Sequence, residues 1–353
     1  MKHNRDTSTV DSRQGSQHLP MVSPLAGPLD LVRAIPWGRE LLGMPDLDGA
    51  LLGPVRDFAS RDSKQVRAQL VRIGFELARG NQDDQPSDEP LLNCLSCVVE
   101  ALHAGSLVID DIQDASEVRR GQPALHVQIG VPLAINAANW LYFWPADLIR
   151  QQAIAPELEL AIYRLYHWTM VRAHYGQALD LGHDMAQVTQ GNAYEISMAS
   201  IELKTGQLMS MCAELGALAG GAEDLQRARL SKFGCRFGVA LQMFNDIGEV
   251  VGDMSCNDNQ RAFRRPSLIW AVAASELEPA AYGDFQRLMC DPDRTTNGRS
   301  LSDHPVVLEA TRRACAEMQA CIVEATNMLE GNRSSGTVSA LNDLARKVMD
   351  TYA

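Results

Sequence analysis

Between residues 91 and 114 the chain reads LLNCLSCVVEALHAGSLVIDDIQD, an apolar helical run that ends on three aspartates. A helix this apolar has to be buried. Its end therefore carries Asp110, Asp111 and Asp114 towards the interior. Asp110 and Asp114 stand at i and i+4, on one face. Stacked carboxylates repel each other unless a divalent cation lies between them, and hard oxygen donors favour Mg²⁺ over zinc. Arg119 and Arg120 follow, and then Gly121 and Pro123, which break the helix. An arginine fork beside a Mg²⁺ site suits a diphosphate. A merely solvated acidic surface is the other reading of such a motif. The apolar run set directly against the acids, and the length of the DDIQD–RRGQP–H string, argue against it.

Helical spacing dominates the rest of the chain, and strand-like alternation is almost absent. The pattern predicts helices over about 65–80, 91–113, 128–150, 156–183, 192–221, 223–252, 267–290, 306–331 and 335–352. Polar breaks at 81–90, 253–260 and 291–305 separate some of them. The expected architecture is all-α, with helices surrounding a central cavity. Residues 1–28 read as a disordered tail and 29–353 as a single domain. The polar N-terminus lacks the apolar core of a signal peptide. No apolar stretch of about 18 residues is evident, so no membrane span is expected. A net charge of −12 argues against nucleic-acid and anionic-membrane partners. Cys94 and Cys97 form a CxxC inside the apolar run, with no second CxxC or histidine pair to complete a zinc site. Core packing is the better reading, and a reducing, cytoplasmic setting is expected.

SLVIDDIQDASEVRRGQPALH resembles the first aspartate-rich motif of the trans-isoprenyl diphosphate synthases, the polyprenyl synthetase family. The resemblance runs from about residue 55 to residue 275. It implies an isoprenoid-synthase helical bundle that condenses isopentenyl diphosphate with an allylic diphosphate, works with about three Mg²⁺ ions and forms a homodimer. Upstream, RDSKQVR resembles the family's GGKRLRP: Lys64 and Arg67 match, Gln65 replaces the middle arginine and the glycines are gone. The resemblance gives Lys64, Arg67, His103 and Arg120 to the diphosphate of isopentenyl diphosphate. Exposed helix cations and a satisfied core histidine are the plainer readings of these residues. Downstream, Gln177 and Asp180 match the family's GQxxD, while Lys204 and Thr205 match KTG, whose lysine contacts the allylic diphosphate.

The second acidic motif departs from the family's FQxxDDxxD. The chain has LQMFNDIGEVVGD: Gln242 and Asp246 match, Asn245 replaces the first aspartate and Glu249 the last. Asn245 can still offer a carbonyl oxygen. The expected metal ligands are Asp110, Asp111, Asp114, Asn245, Asp246 and Glu249. Asn245, Glu249 and Asp253 also loosely resemble the second metal motif of class I terpene synthases. The lysine the family carries next is missing, and Arg264 or Arg265 is expected to stand in for it. With Arg119 and Lys204 it would stabilise the leaving diphosphate. In the family, the residues at Gly105 and Ser106 set product length, and their small size suggests a pocket open to about twenty carbons or more. Trp140, Tyr142, Phe143 and Trp144 on the next helix could plug it or pack as ordinary core. Chain elongation is the preferred reading. A cyclase that needs no isopentenyl diphosphate, and a non-catalytic partner subunit, are the alternatives.

Overall fold

The computed structural model describes residues 47–61, 64–79, 89–251, 262–290, 303–329, 339 and 341–346. The readings of residues 1–28 as a tail, of Asp253 and of most of the helix over 335–352 lie outside these. Among the described residues the fold is helical apart from one hairpin. A π-helical turn at Asp48–Leu52 leads into α1 (Gly53–Ser60), followed by α2 (Val66–Arg79) and α3 (Glu89–Asp114). The hairpin pairs β1 (Val118–Arg119) with β2 (Gln122–Pro123), antiparallel, Arg119 opposite Gln122. Next come α4 (Leu125–Ile129), α5 (Val131–Arg150) and α6 (Pro156–Gly182). The helix α7 (Gln190–Ile201) passes through a π-helical turn, Glu202–Gly206, into α8 (Gln207–Ala219). The chain continues with α9 (Asp224–Val251), α10 (Leu268–Glu276), α11 (Pro279–Cys290) and α12 (Pro305–Leu329).

The core lies between α2, α3, α8 and α9. On α3, Leu91, Leu92, Leu95, Val98, Val99 and Leu102 are all buried. Cys94 and Cys97 are buried with them, and desolvation pushes both thiols up, Cys94 to about 12. This helix corrects the expectation of no membrane-length apolar stretch. It is long and apolar enough to cross a bilayer by composition, but 67% of that window is buried inside the fold. Its apolar surface is spent on the bundle. Beyond Asp114, Ala115 takes a φ of 56°, which ends the helix, and Ser116 N–H bonds back to the Asp111 carbonyl at 2.9 Å.

Two glycines decide how close helices come. A Cβ on Gly216 of α8 would lie 2.0 Å from the Val71 carbonyl oxygen of α2. Gly216→Ala therefore has to push two core helices apart. The expected cost is about 3 kcal/mol, the upper range for an overpacked core. Denaturant unfolding measures it, and a wild-type midpoint would mean the crossing relaxes freely. On α3, a Cβ on Gly105 would lie 2.9 Å from Tyr142 Cε1 of α5. The glycine thus makes room for an aromatic ring rather than for open space.

Candidate active site

A cavity of about 360 Å³ opens where α3, α6, α9 and the Glu202–Gly206 turn converge, lined among others by Asp114, Arg119, Asp180, Lys204, Glu249 and Arg265. The i, i+4 spacing on α3 turns Asp110 and Asp114 to the same side. Gln177 on α6 donates to Asp110 Oδ1 at 2.8 Å and to Gln113 at 2.7 Å. Lys204 leaves the π-helical turn with its Nζ 3.4 Å from Asp180 and 3.9 Å from Asp110. Arg265 reaches Asp114 at 2.7 Å and Asp180 at 3.2 Å. Arg119 grips the fully buried Asp111, its Nε donating to Oδ1 at 2.8 Å.

The charges are strongly coupled. Burial raises the Asp110 carboxyl, Lys204 opposes it, and Asp114 and Asp180 add to the rise. Burial also raises Asp114, against the pull of Arg265. For Lys204, burial acts downward, but Asp110 and Asp180 outweigh it and the net shift is up. For Arg119, burial likewise acts downward and is outweighed by the Asp111 hydrogen bond and charge.

From α9 the cavity takes Gln242, Asp246 and Glu249, one face at i, i+4 and i+7. Thr205 donates to Gln242 Oε1 at 2.7 Å, and Gln242 Nε2 donates to Asp246 Oδ1 at 2.8 Å. Asp246 Oδ2 accepts the Leu268 N–H at 2.7 Å and so caps α10. Burial, then Glu249, pushes Asp246 up to about 8, with the two donors holding it partly down. Glu249 opens to the cavity yet is recessed enough that desolvation lifts it to about 7, against Lys204.

Both acids hold protons that an unfolded chain gives up near pH 4. Between that value and 7 to 8 the folded chain binds more protons than the unfolded one. Stability must therefore fall as pH rises through this window and level off above it. Without metal, the melting temperature is expected to drop by several degrees between pH 5.5 and 8.5. A flat or rising profile would overturn the assignment of these two groups.

A second cationic cluster lies behind the hairpin. Glu100 is buried on α3, accepts the Ala68 N–H at 3.2 Å and carries its charge against Arg67 and Arg120. Burial lowers Arg67, countered by Glu100. Burial, then Arg67 and Arg120, holds His103 well below its usual range, so it stands neutral, a hydrogen-bonding group rather than a cation. Arg120 reaches the Arg61 carbonyl at 3.5 Å. Lys64 is exposed just ahead of α2, and partial burial lowers its pKa.

The structure refines several assignments made from the sequence. Arg264 pairs with Asp184, its Nε donating to Oδ1 at 2.8 Å, so Arg265 is the arginine at the cavity. Asn245 Oδ1 is buried without a hydrogen-bond partner, the same state as Asp111 Oδ2. Phe143 is 76% exposed on the outer side of α5. Trp140 stacks on Trp144, ring centroids 4.9 Å apart. Ser106 donates to the His103 carbonyl, and the space beside Gly105 is filled by Tyr142. The sequence reading left out Arg61 and Glu100, and it quoted Asp180 only as a motif match. Glu100 lies one helical turn before His103, a spacing that could have flagged it.

Asp110, Asp114, Asp180 and Glu249 could hold Mg²⁺. Burial raises the carboxyls of Asp110, Asp114 and Glu249, so the folded chain disfavours the charge on these three, and Asp111 Oδ2 is buried with no hydrogen-bond partner. Among the described residues no three His, Cys, Asp or Glu side chains close on one ion position. Mg²⁺ takes one or two protein carboxylates and completes its shell with water and phosphate oxygens.

Comparison with known proteins identifies the fold and the family. The chain is 30% identical over 191 residues to a short chain isoprenyl diphosphate synthase of Methanothermobacter thermautotrophicus, covering 54% of this chain and 55% of the relative. It is 32% identical over 192 residues to a geranylgeranyl diphosphate synthase of Sulfolobus acidocaldarius, covering 54% and 55%. The matched segment thus spans about half the length of these relatives. The fold matches the crystal structure of a geranylgeranyl pyrophosphate synthetase from Pyrococcus horikoshii with a TM-score of 0.72 and 23% identity, over 92% of this chain and 97% of the other. The family model for polyprenyl synthetase covers residues 49–260, and on that match the chain belongs to the polyprenyl synthetase family.

Proposed function

We propose that the chain is a Mg²⁺-dependent trans-prenyltransferase that condenses isopentenyl diphosphate with an allylic diphosphate to a product of about twenty carbons or more. One observation carries the reading: a single hairpin sends Arg119 to the acidic cavity and Arg120 to a separate cationic cluster with Arg67. Two anion sites on either side of one turn fit two diphosphate substrates. A cyclase needs only the first. The name of the Sulfolobus relative, a geranylgeranyl diphosphate synthase, supports the product length.

Bound Mg²⁺ would neutralise charge on the departing diphosphate. Arg119, Lys204 and Arg265 stabilise the same charge as the allylic C–O bond breaks. The C3–C4 double bond of isopentenyl diphosphate then forms the new C–C bond, and C2 loses its proton to the released diphosphate. Arg67 and Arg120, with neutral His103 donating or accepting a hydrogen bond, hold the second diphosphate so that this double bond faces the cation. Exposed Leu133 and Phe143 on α5 and Trp168 and Tyr175 on α6 support self-association into a homodimer.

Matched incubations with Mg²⁺ test the reading: an allylic diphosphate of ten, fifteen or twenty carbons, with and without isopentenyl diphosphate. Longer diphosphates formed only when isopentenyl diphosphate is present are expected. A cyclic hydrocarbon or alcohol formed in its absence would overturn the proposal.

A further inference from the structure

We infer that Arg61, far in sequence from both acidic motifs, is a positioning residue that holds the Arg119–Arg120 hairpin in its working geometry. The inference rests on the reaction proposed above only for its kinetic consequence. The hairpin has two residues in each strand, and a two-stranded ribbon of that size is marginal by itself. Its turn needs positive φ at both central residues, and the chain supplies Arg120 (55°) and Gly121 (72°). Glycine adopts that region freely. A non-glycine residue there costs roughly 1–2 kcal/mol. Arginine at position 120 therefore places charge where backbone preference opposes it, and something outside the hairpin has to hold the turn.

Arg61 is placed to do so. It caps the end of α1, whose Val55 and Phe58 are buried in the core. Its side chain is only 3% exposed, and its guanidinium lies 5.0 Å over the Phe58 ring. From there Nη1 donates to the Pro123 carbonyl at 3.0 Å and to the Arg119 carbonyl at 3.4 Å, one on each strand. Nη2 is fixed by Asp57 at 3.2 Å, and the Arg61 carbonyl receives Arg120 Nη1 at 3.5 Å. Contacts spanning 58, 59 and 62 residues thus tie both strands and the turn to α1. Buried this deeply, Arg61 does not touch substrate. It acts through the two arginines that do, and a misplacement of about 1 Å at such groups can cost roughly a hundredfold.

Hydrogen exchange of the metal-free full chain, wild type against Arg61→Gln and Arg61→Lys, tests this without reference to activity. In Arg61→Gln the amides of 117–124 are expected to exchange at least tenfold faster, with α3 unchanged. In the kinetic arm, kcat/KM for both diphosphates is expected to fall about thirty- to a hundredfold, with Arg61→Lys in between because one ammonium cannot fork to two strands. Unchanged exchange at 117–124 in Arg61→Gln overturns the inference whatever the kinetics do. If Arg61→Gln does not fold, Arg61→Lys carries the comparison, and wild-type exchange there overturns it. Faster exchange in a chain that makes no product dependent on isopentenyl diphosphate would leave the positioning role standing and remove the proposed reaction.

Discussion

Asp110→Asn should lose about a thousandfold in kcat/KM while the metal-free protein becomes more stable. The two effects share one cause. Asp110 sits half-buried among Asp114 and Asp180, with Lys204 3.9 Å away. Its raised carboxyl means that the fold disfavours the ionised form. Asparagine keeps the shape and still accepts the 2.8 Å hydrogen bond from Gln177, so neutralisation relieves that cost. The same change removes a charge that a cation needs on the leaving-group side. A thousandfold is about 4 kcal/mol of transition-state stabilisation, the scale seen when one preorganised charge or donor is deleted. Thermal melts with and without Mg²⁺ and inorganic diphosphate, run beside steady-state kinetics, check both halves. The metal-free melting temperature should rise, and the stabilisation on adding Mg²⁺ and diphosphate should shrink. A lower metal-free melting temperature would mean that Asp110 supports the fold, and the activity loss would then say nothing about metal.

Such opposed effects are expected where function is stored as unfavourable charge, and that is also what made the site legible. Asp110, Asp114, Arg119 and Lys204 stand out because charge at the end of an apolar helix, or inside one, conflicts with its surroundings, and the conflict is local. Helix positions were legible for the same reason, since 3.6-residue periodicity is local. What escaped depends on partners far away or on backbone alone. Arg264 and Arg265 are neighbours with the same chemistry, and the choice between them is made by Asp184 and Asp180, some 80 and 85 residues distant. The predicted helix over 192–221 is crossed by a π-helical turn at Glu202–Gly206 that aims Lys204, a change of backbone register with no side-chain signature. The predicted helix over 128–150 breaks at Gly130, where φ is 82°. Gly121 and Pro123 read only as a helix break, because a two-residue strand is too short to show alternation. Phe143 read as a pocket residue because it is aromatic, but Tyr142 and Phe143 are adjacent on α5 and point about 100° apart, one inward and one outward, and only packing says which is which.

The hairpin also supplies the sharpest test between elongation and cyclisation. Arg119→Gln and Arg120→Gln remove the same charge from adjacent residues, yet the two variants should fail differently. Arg119 is bonded to Asp111 beside the acidic cavity, so its loss falls on ionisation. The expected result is a fall in kcat of about a thousandfold with either substrate saturating. Arg120 faces Glu100 and Arg67 on the other side, where Glu100 already offsets part of the positive charge. Removing Arg120 leaves Arg67 to hold a diphosphate against a buried carboxylate. The expected result is a rise of at least about a hundredfold in KM for isopentenyl diphosphate, near 3 kcal/mol, with the allylic KM within about threefold of wild type. Ionisation is spared, so release of inorganic diphosphate from the allylic substrate by water should persist in Arg120→Gln and be lost in Arg119→Gln. If Arg120→Gln instead leaves every product and both KM values unchanged, the second cluster holds no substrate. The chain would then need only its acidic cavity, which is the behaviour of a cyclase.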